Sequence, residues 1–343
     1  MALQSDADEL QSAWRALADA ARSSGWRTIP VLTGGPCALM AGRRYPGNEE
    51  AIVVRFASGT VPKTAQLPQG GGFNVTKLES PAQNAGEVWI ALSRQAGGDA
   101  DLFLTMVVDV VGALRELGKR GDVVVFHAFL SRIGAWQAFM RGGRDRVLSA
   151  EAEAGLYGEL EVLQALLDEG ITPRNALDRW KGPLDGLHDF VCEPGALEVK
   201  ASVASGVFRV NVGSLDQLDN SLIQPLFLAA VRLTLMSNGT TLSEKIERLD
   251  QRFAGDSNAA TIFGDLLLRA GFIAAVRDRY TRRFGLVGIQ TFLVTKNFPR
   301  LTRDGISPAI RSARYEMDLD LATLPATDFA EALIQLGLKQ QWN

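Results

Sequence analysis

Apolar residues recur along this chain with two different periods, and each change of period marks an element. Leu10, Trp14, Leu17, Ala18 and Ala21 return at helical spacing, with Ser5 and Asp8 placed as a capping-box-like start and Ser23-Ser24-Gly25 as a stop. Short runs with strand character follow at 51–56 and 88–92, separated by loops that contain glycine and proline. Residues 102–119 are expected to form a helix, 123–126 a strand and 131–139 a second helix, so that 1–148 make an α+β N-terminal domain. After Ala150 the texture changes. Leu156, Leu160, Leu163 and Leu167 form an apolar stripe on a helix that stops at Gly170, with Pro173 just beyond. Gly155 and Gly158 leave the N-terminal half of that helix thin, which permits close approach by another element. Strands are expected at 187–192, 196–203, 207–212, 225–235, 285–294 and 312–320, with helices at 241–253 and 259–270. Residues 149–343 therefore read as a mixed α/β layer in which helices cover a sheet. The tract Arg141-Gly142-Gly143-Arg144-Asp145-Arg146 has the composition of a junction between the two domains.

Composition narrows the chemistry. With 343 residues, 46% hydrophobic and 22% charged, the chain suits a globular protein of roughly two cores. A formal net charge of −3 speaks against binding nucleic acid through a basic tail, yet allows an enzyme that meets it with a local basic surface or bound cations. Two cysteines, Cys37 and Cys192, and two histidines, His127 and His188, exclude a disulfide framework, a cysteine-rich zinc site and a multi-histidine centre. Any catalytic metal then depends on oxygen ligands, which suits Mg²⁺ or Mn²⁺. The N-terminus shows no basic segment followed by an apolar one, and the apolar stretches near 102–114 and 222–235 are too short or too interrupted to span a bilayer. The expectation is a cytoplasmic protein without membrane contact. Gly70-Gly71-Gly72 lacks the Lys-Ser/Thr that follows a phosphate-binding loop and reads as a flexible turn.

The candidate chemistry lies in the tract Asp189-Phe190-Val191-Cys192-Glu193-Pro194-Gly195-Ala196-Leu197-Glu198-Val199-Lys200. A hairpin closed at Pro194-Gly195 sets Cys192 opposite Leu197, Phe190 opposite Val199 and Asp189 opposite Lys200. The apolar pairs then share one face, and Asp189, Glu198 and Lys200 share the other. Two neighbouring carboxylates repel unless a cation lies between them. A divalent ion held by Asp189 and Glu198, with the carbonyl of Val199 completing its coordination, would polarise a phosphoryl oxygen, and Lys200 would orient water or stabilise developing charge. The competing reading is a solvated face with a cross-strand ion pair worth ~0–1 kcal/mol. Glu159, at the inward edge of the Leu156–Leu167 stripe, is either a further ligand of that ion or a carboxylate that reaches solvent or a basic partner.

Taken in order, Gly155-Leu156-Tyr157-Gly158-Glu159-Leu160, Trp180-Lys181-Gly182-Pro183, His188-Asp189-Phe190, Glu198-Val199-Lys200 and Leu215-Asp216-Gln217-Leu218 resemble a bacterial family of PD-(D/E)XK nuclease-like proteins, and Phe298-Pro299-Arg300 with Arg314-Tyr315 match its C-terminal pattern. The resemblance implies a restriction-endonuclease-like core, with a mixed central sheet flanked by helices. It makes Asp189 and Glu198 metal ligands, Lys200 the catalytic lysine, Glu159 the acidic residue of the first core helix and Gln217 a supporting glutamine. His188 stands where the motif's proline would be. The implied activity is Mg²⁺- or Mn²⁺-dependent cleavage of DNA in a bacterial restriction or anti-phage setting, alongside other defence proteins. The N-terminal domain would recognise the target, dimerise or dock a partner, and a homodimer would allow both strands to be cut. The rival is a nuclease fold retired from catalysis that binds nucleic acid or scaffolds a defence complex. His188 reads as a packed residue rather than a base, and Trp180 as a core residue or a platform for a base. The groups Lys296, Arg300, Arg303, Arg311, Arg314 and Arg277, Arg279, Arg282, Arg283 either track a phosphate backbone or are solvated.

Overall fold

A computed structural model describes residues 2–18, 24–31, 38–57, 60–61, 67–78, 86–117, 120–141, 148–184, 186–203, 206–322 and 325–339. The chain forms two compact units, Met1–Arg146 and Val147–Asn343. Ala21, Cys37 and residues 142–146 of the expected junction lie outside the described residues. Among the described residues no helix is long and apolar enough to cross a membrane.

The first unit begins with α1 (Ala2–Ala18), followed by β1 (Gly25–Val31), β2 (Leu39–Tyr45), β3 (Glu49–Ala57), β4 (Gln69–Gly70), β5 (Phe73–Leu78) and β6 (Glu87–Arg94). These strands form one antiparallel sheet in the order β1-β2-β3-β6-β5-β4, and Gly71-Gly72 turn the chain from β4 into β5. Two helices follow, α2 (Ala100–Glu116) and α3 (Asp122–Arg141). Trp14 donates its indole N–H to the Ala51 carbonyl at 2.8 Å, which ties α1 to β3. Two expectations are corrected here. The first helix starts at Ala2, so Ser5 lies inside it and is not its cap. Residues 123–126 are helical and belong to α3. Val123-Val124-Val125 has strand propensity, but Val125, Phe126, Phe129, Ile133 and Trp136 are buried at helical spacing, and that longer period wins.

The second unit runs α4 (Ala150–Asp168), α5 (Pro173–Arg179), β7 (Phe190–Val191), β8 (Ala196–Val203), β9 (Arg209–Val212), β10 (Leu226–Thr241), α6 (Leu242–Phe253), α7 (Ser257–Arg269), β11 (Arg283–Leu293), β12 (Tyr315–Asp318) and α8 (Phe329–Gln335). Its main sheet is mixed, in the order β11-β10-β8-β7, with β8 and β10 parallel and the other pairs antiparallel. β9 and β12 form a separate antiparallel ribbon. Burial alternates along the central strands. Leu197, Val199, Phe227, Ala229 and Val231 pack with the leucines of α4 on one face, while Ala196, Leu226, Leu228 and Ala230 pack on the other with Leu218, Phe292 and Phe298.

Gly158 sets how close α4 comes to the sheet. A Cβ at that position would lie 2.5 Å from the Cβ of Ala201, so the helix rests on β8 through a residue without a side chain. Gly155 has open space around it and lines a cavity instead, which corrects the expectation of close approach there. Gly158→Val is expected to cost about 1–3 kcal/mol through overpacking, read as a lower urea midpoint with an unchanged denaturant slope.

Candidate active site

The hairpin carrying the acidic residues closes differently from the drawn register. Phe190 pairs with Leu197 and Val191 with Ala196, and the Cys192 N–H donates to the Gly195 carbonyl at 2.7 Å. The turn therefore centres on Glu193-Pro194, joined by a cis peptide, and not on Pro194-Gly195. Gly195 is committed elsewhere, because a Cβ there would lie 2.2 Å from the Pro225 carbonyl, at the start of β10. This displacement of two residues preserves which side chains share a face, whereas a slip of one would exchange them. It carries Asp189 toward Glu198 and away from Lys200. The strand expected at 187–192 contracts to Phe190–Val191, so among the described residues β8 has no strand partner on the β7 side from Glu198 onward.

Asp189 sits at this opening. Its Oδ2 accepts the Val199 N–H at 2.7 Å, taking the place of the ladder bond that a longer β7 would have made. The Val199 carbonyl leaves the strand on that same edge. Glu198 and Lys200 project from the face of β8 opposite Leu197 and Val199, with Lys200 Nζ 2.7 Å from Glu198 Oε1 and 3.1 Å from Gln217 Oε1. Gln217 Oε1 also accepts the Gly213 N–H at 2.8 Å, which fixes the amide's orientation. Glu159 approaches from α4, and its Oε2 accepts the Trp180 indole N–H at 2.6 Å. All five residues line one cavity of about 560 Å³, with Arg282 on its wall.

Glycine at 182 lets the carboxylates converge. A Cβ there would stand 2.6 Å from Glu159 Oε2 and 2.9 Å from Asp189 Oδ1. The N–H groups of Lys181 and Gly182 both donate to the Asp189 carbonyl, at 2.6 and 3.0 Å, and Trp180 bridges to Phe190 on the outer side of β7. Trp180 is fully buried, which excludes it as a platform for a base. Trp180 and Gly182 shape the site and lie outside the reach of the hairpin reasoning; the Trp180-Lys181-Gly182-Pro183 tract was the available signal. Gly182→Ala is expected to spread the two carboxylates and weaken Mn²⁺ binding by about tenfold or more, measured by isothermal titration calorimetry.

All three acids are shifted upward, with burial the largest cause. Burial, reinforced by the nearby Asp189 charge, pushes the Glu159 carboxyl up to about 8. Burial likewise raises Asp189, against the opposing pull of the Val199 N–H and Lys200. Glu198, 1% exposed, is raised well above the usual carboxylate range by burial and by Asp189, with Lys200 opposing. His188 is buried beside this group, with its ring in reach of the Gln217 backbone, and burial lowers its pKa.

Among the described residues, no three acidic, histidine or cysteine side chains already close on a common point. Each acid is turned to a protein partner: Glu159 to Trp180, Asp189 to Val199 and Glu198 to Lys200. A carboxylate has two oxygens, however, and Glu198 Oε2 is buried with no hydrogen-bond partner among the described residues. That orphaned oxygen, the all-oxygen donor set and the convergence on Gly182 fit a hard divalent cation.

Several arginines considered for phosphate contact have protein partners instead. Arg282 pairs with Glu153, Arg283 with Glu244 at 3.1 Å, and Arg303 with Asp216 at 2.7 Å.

A family model with the description "Putative PD-(D/E)XK family member, (DUF4420)" matches residues 10–320. No curated protein and no solved structure matches the chain.

Proposed function

The chain belongs to this PD-(D/E)XK family, and from that membership we propose that it is a nuclease that hydrolyses phosphodiester bonds of DNA with Mg²⁺ or Mn²⁺. Glu159, Asp189, Glu198 and the carbonyl of Val199 would hold the ion, through the oxygens their present partners leave over. A bound ion supplies polarisation of a phosphoryl oxygen and a water of lowered pKa. The protein's own part is positional and electrostatic. Lys200 brings a cationic amine to the cavity, held between two oxygens, where it can stabilise charge developing on a phosphate or orient a water. Gln217 keeps that amine in place, and Trp180 and Gly182 place Glu159 and Asp189. One observation carries the reading: a buried, unpartnered carboxylate oxygen on Glu198, whose other oxygen holds the lysine amine. Glu153 Oε1, beside the Arg282 ion pair, is likewise buried without a hydrogen-bond partner, but only the Glu198 oxygen belongs to a residue that lines the cavity together with Glu159, Asp189 and Lys200.

The proposal extends to a restriction or anti-phage setting with other defence proteins, to a homodimer that cuts both strands, and to recognition or docking by the first unit. Purified protein incubated with supercoiled plasmid and Mg²⁺ or Mn²⁺ is expected to release nicked and linear DNA, and Lys200→Ala to release neither. Retention of plasmid without cutting in both metals would instead establish a module that only binds nucleic acid.

A further inference from the structure

Gln217 holds the lysine, yet it lies in the irregular stretch between β9 and β10, where no ladder fixes its backbone. Ordering such a segment is entropically unfavourable, so something must hold it. Buried Leu215 and Leu218 anchor it from within. His188, its ring in reach of the Gln217 backbone, holds it from the site side, and a strap between β11 and β12, residues 294–314, holds it from the other. Arg300 donates through Nη1 to the Leu218 carbonyl at 2.6 Å and through Nη2 to Asn220 Oδ1 at 2.7 Å. Arg303 grips Asp216 with both of its forks, at 2.7 and 2.8 Å. Gln217 is thus flanked on each side by a residue that the strap holds.

The strap is itself pinned. Phe298 is buried in the same cluster as Leu218, the Leu301 N–H donates to the Tyr315 hydroxyl at 3.2 Å, and Tyr315 pairs with Val212 at the end of β9, just before the Gln217 segment begins. The Phe298-Pro299-Arg300 and Arg314-Tyr315 tracts, far along the chain from the acids, therefore close on the segment that carries the glutamine.

We infer that Arg300 is a positioning residue, whose two hydrogen bonds to the Leu218–Asn220 backbone and side chain keep Gln217 Oε1 on the amine of Lys200. The inference rests on the hydrolytic role proposed for Lys200. Arg300 outweighs Arg303 here, because the Arg300 contacts are half-buried, whereas the Arg303 side chain is 56% exposed and its pair is open to water. Geometry at the reacting group is what the brace protects, and a shift of about 1 Å there costs up to ~100-fold in rate.

The test combines kinetics with hydrogen exchange on the full chain. Arg300→Met is expected to lower kcat by roughly 10–100-fold with KM within about twofold, and to speed exchange across 213–221 while β8 and β10 stay protected. Gln217→Leu is expected to reproduce the loss in kcat, and the double variant to add little to either. Arg300→Lys, which keeps charge without the fork, is expected to recover only part of the rate. Additive losses in the double variant, or unchanged exchange across 213–221 in Arg300→Met, overturn the inference. Exchange that rises everywhere in both Arg300 variants also overturns it, since Arg300 would then support the fold as a whole. A wild-type protein that cuts nothing would remove the hydrolytic reading alone, and the exchange measurements would still decide whether Arg300 braces Gln217.

Discussion

Lys200→Met is expected to slow plasmid cleavage by roughly 10²–10³-fold, the usual cost of removing one charge-stabilising donor from a water-poor site. The side chain of Lys200 is only 14% exposed, and its amine is fixed by Glu198 and Gln217, so no other cation can swing into its place without displacing them. Methionine keeps most of the apolar stem, so the fold should survive. The sign of the effect on metal uptake separates this reading from simple damage to the site. Lys200 repels an incoming cation, so its loss should leave Mn²⁺ affinity equal to the wild type or tighter while cleavage collapses. Initial rates on supercoiled plasmid and calorimetric titration with Mn²⁺ read the two quantities separately. A rate within about threefold of wild type would end the catalytic assignment of Lys200, given that such residues ordinarily carry far larger effects.

How far the site could be read from the residues depends on how local its determinants are. The alternation Ala196-Leu197-Glu198-Val199-Lys200 describes the first five residues of β8, because successive side chains face opposite sides of the sheet. Thr241 and Glu244 form the capping box that starts α6, again a matter of residues three apart. The hairpin register was not legible, because the turn position is settled by the approach of Gly195 to Pro225, a residue thirty positions on, just before β10. α3 was misread where three valines imitate a strand locally. Gly182 leaves no periodic trace, since its contribution is the absence of a side chain between two carboxylates. The Arg300 brace was hidden for a related reason. Its acceptors are a carbonyl and an amide more than seventy positions upstream, and nothing near Arg300 announces them.

The acidic cluster also makes stability and metal binding depend on pH in opposite ways. Glu159 has its folded pKa raised from the ordinary 4.5 to about 8, and Asp189 and Glu198 are raised as well. The folded chain therefore binds these protons more tightly than the unfolded chain does. Its stabilisation is complete below the ordinary carboxylate range and is lost as pH rises through about 8. Each proton involved gives a slope of about 1.4 kcal/mol per pH unit. Without divalent ions, Tm is thus expected to fall from about pH 5 to about pH 8. A bound cation reverses the logic, because it needs the carboxylates ionised and displaces their protons. The apparent Kd for Mn²⁺ should tighten by about tenfold per pH unit for each proton displaced, and addition of the ion should restore most of the lost Tm at pH 8. Glu159→Gln isolates one of these groups. The amide oxygen can still accept the Trp180 N–H, but it never has to ionise beside Asp189. The variant should come nearest to wild type at the acid end, exceed its Tm by a margin that widens from pH 6 to pH 8 without metal, and gain less from Mn²⁺ at either pH. Calorimetric melting with and without Mn²⁺ across this range measures all three. A wild-type Tm that rises toward pH 9 in the absence of metal would mean that these carboxyls are already ionised in the folded chain, and Mn²⁺ binding would then displace no protons from them.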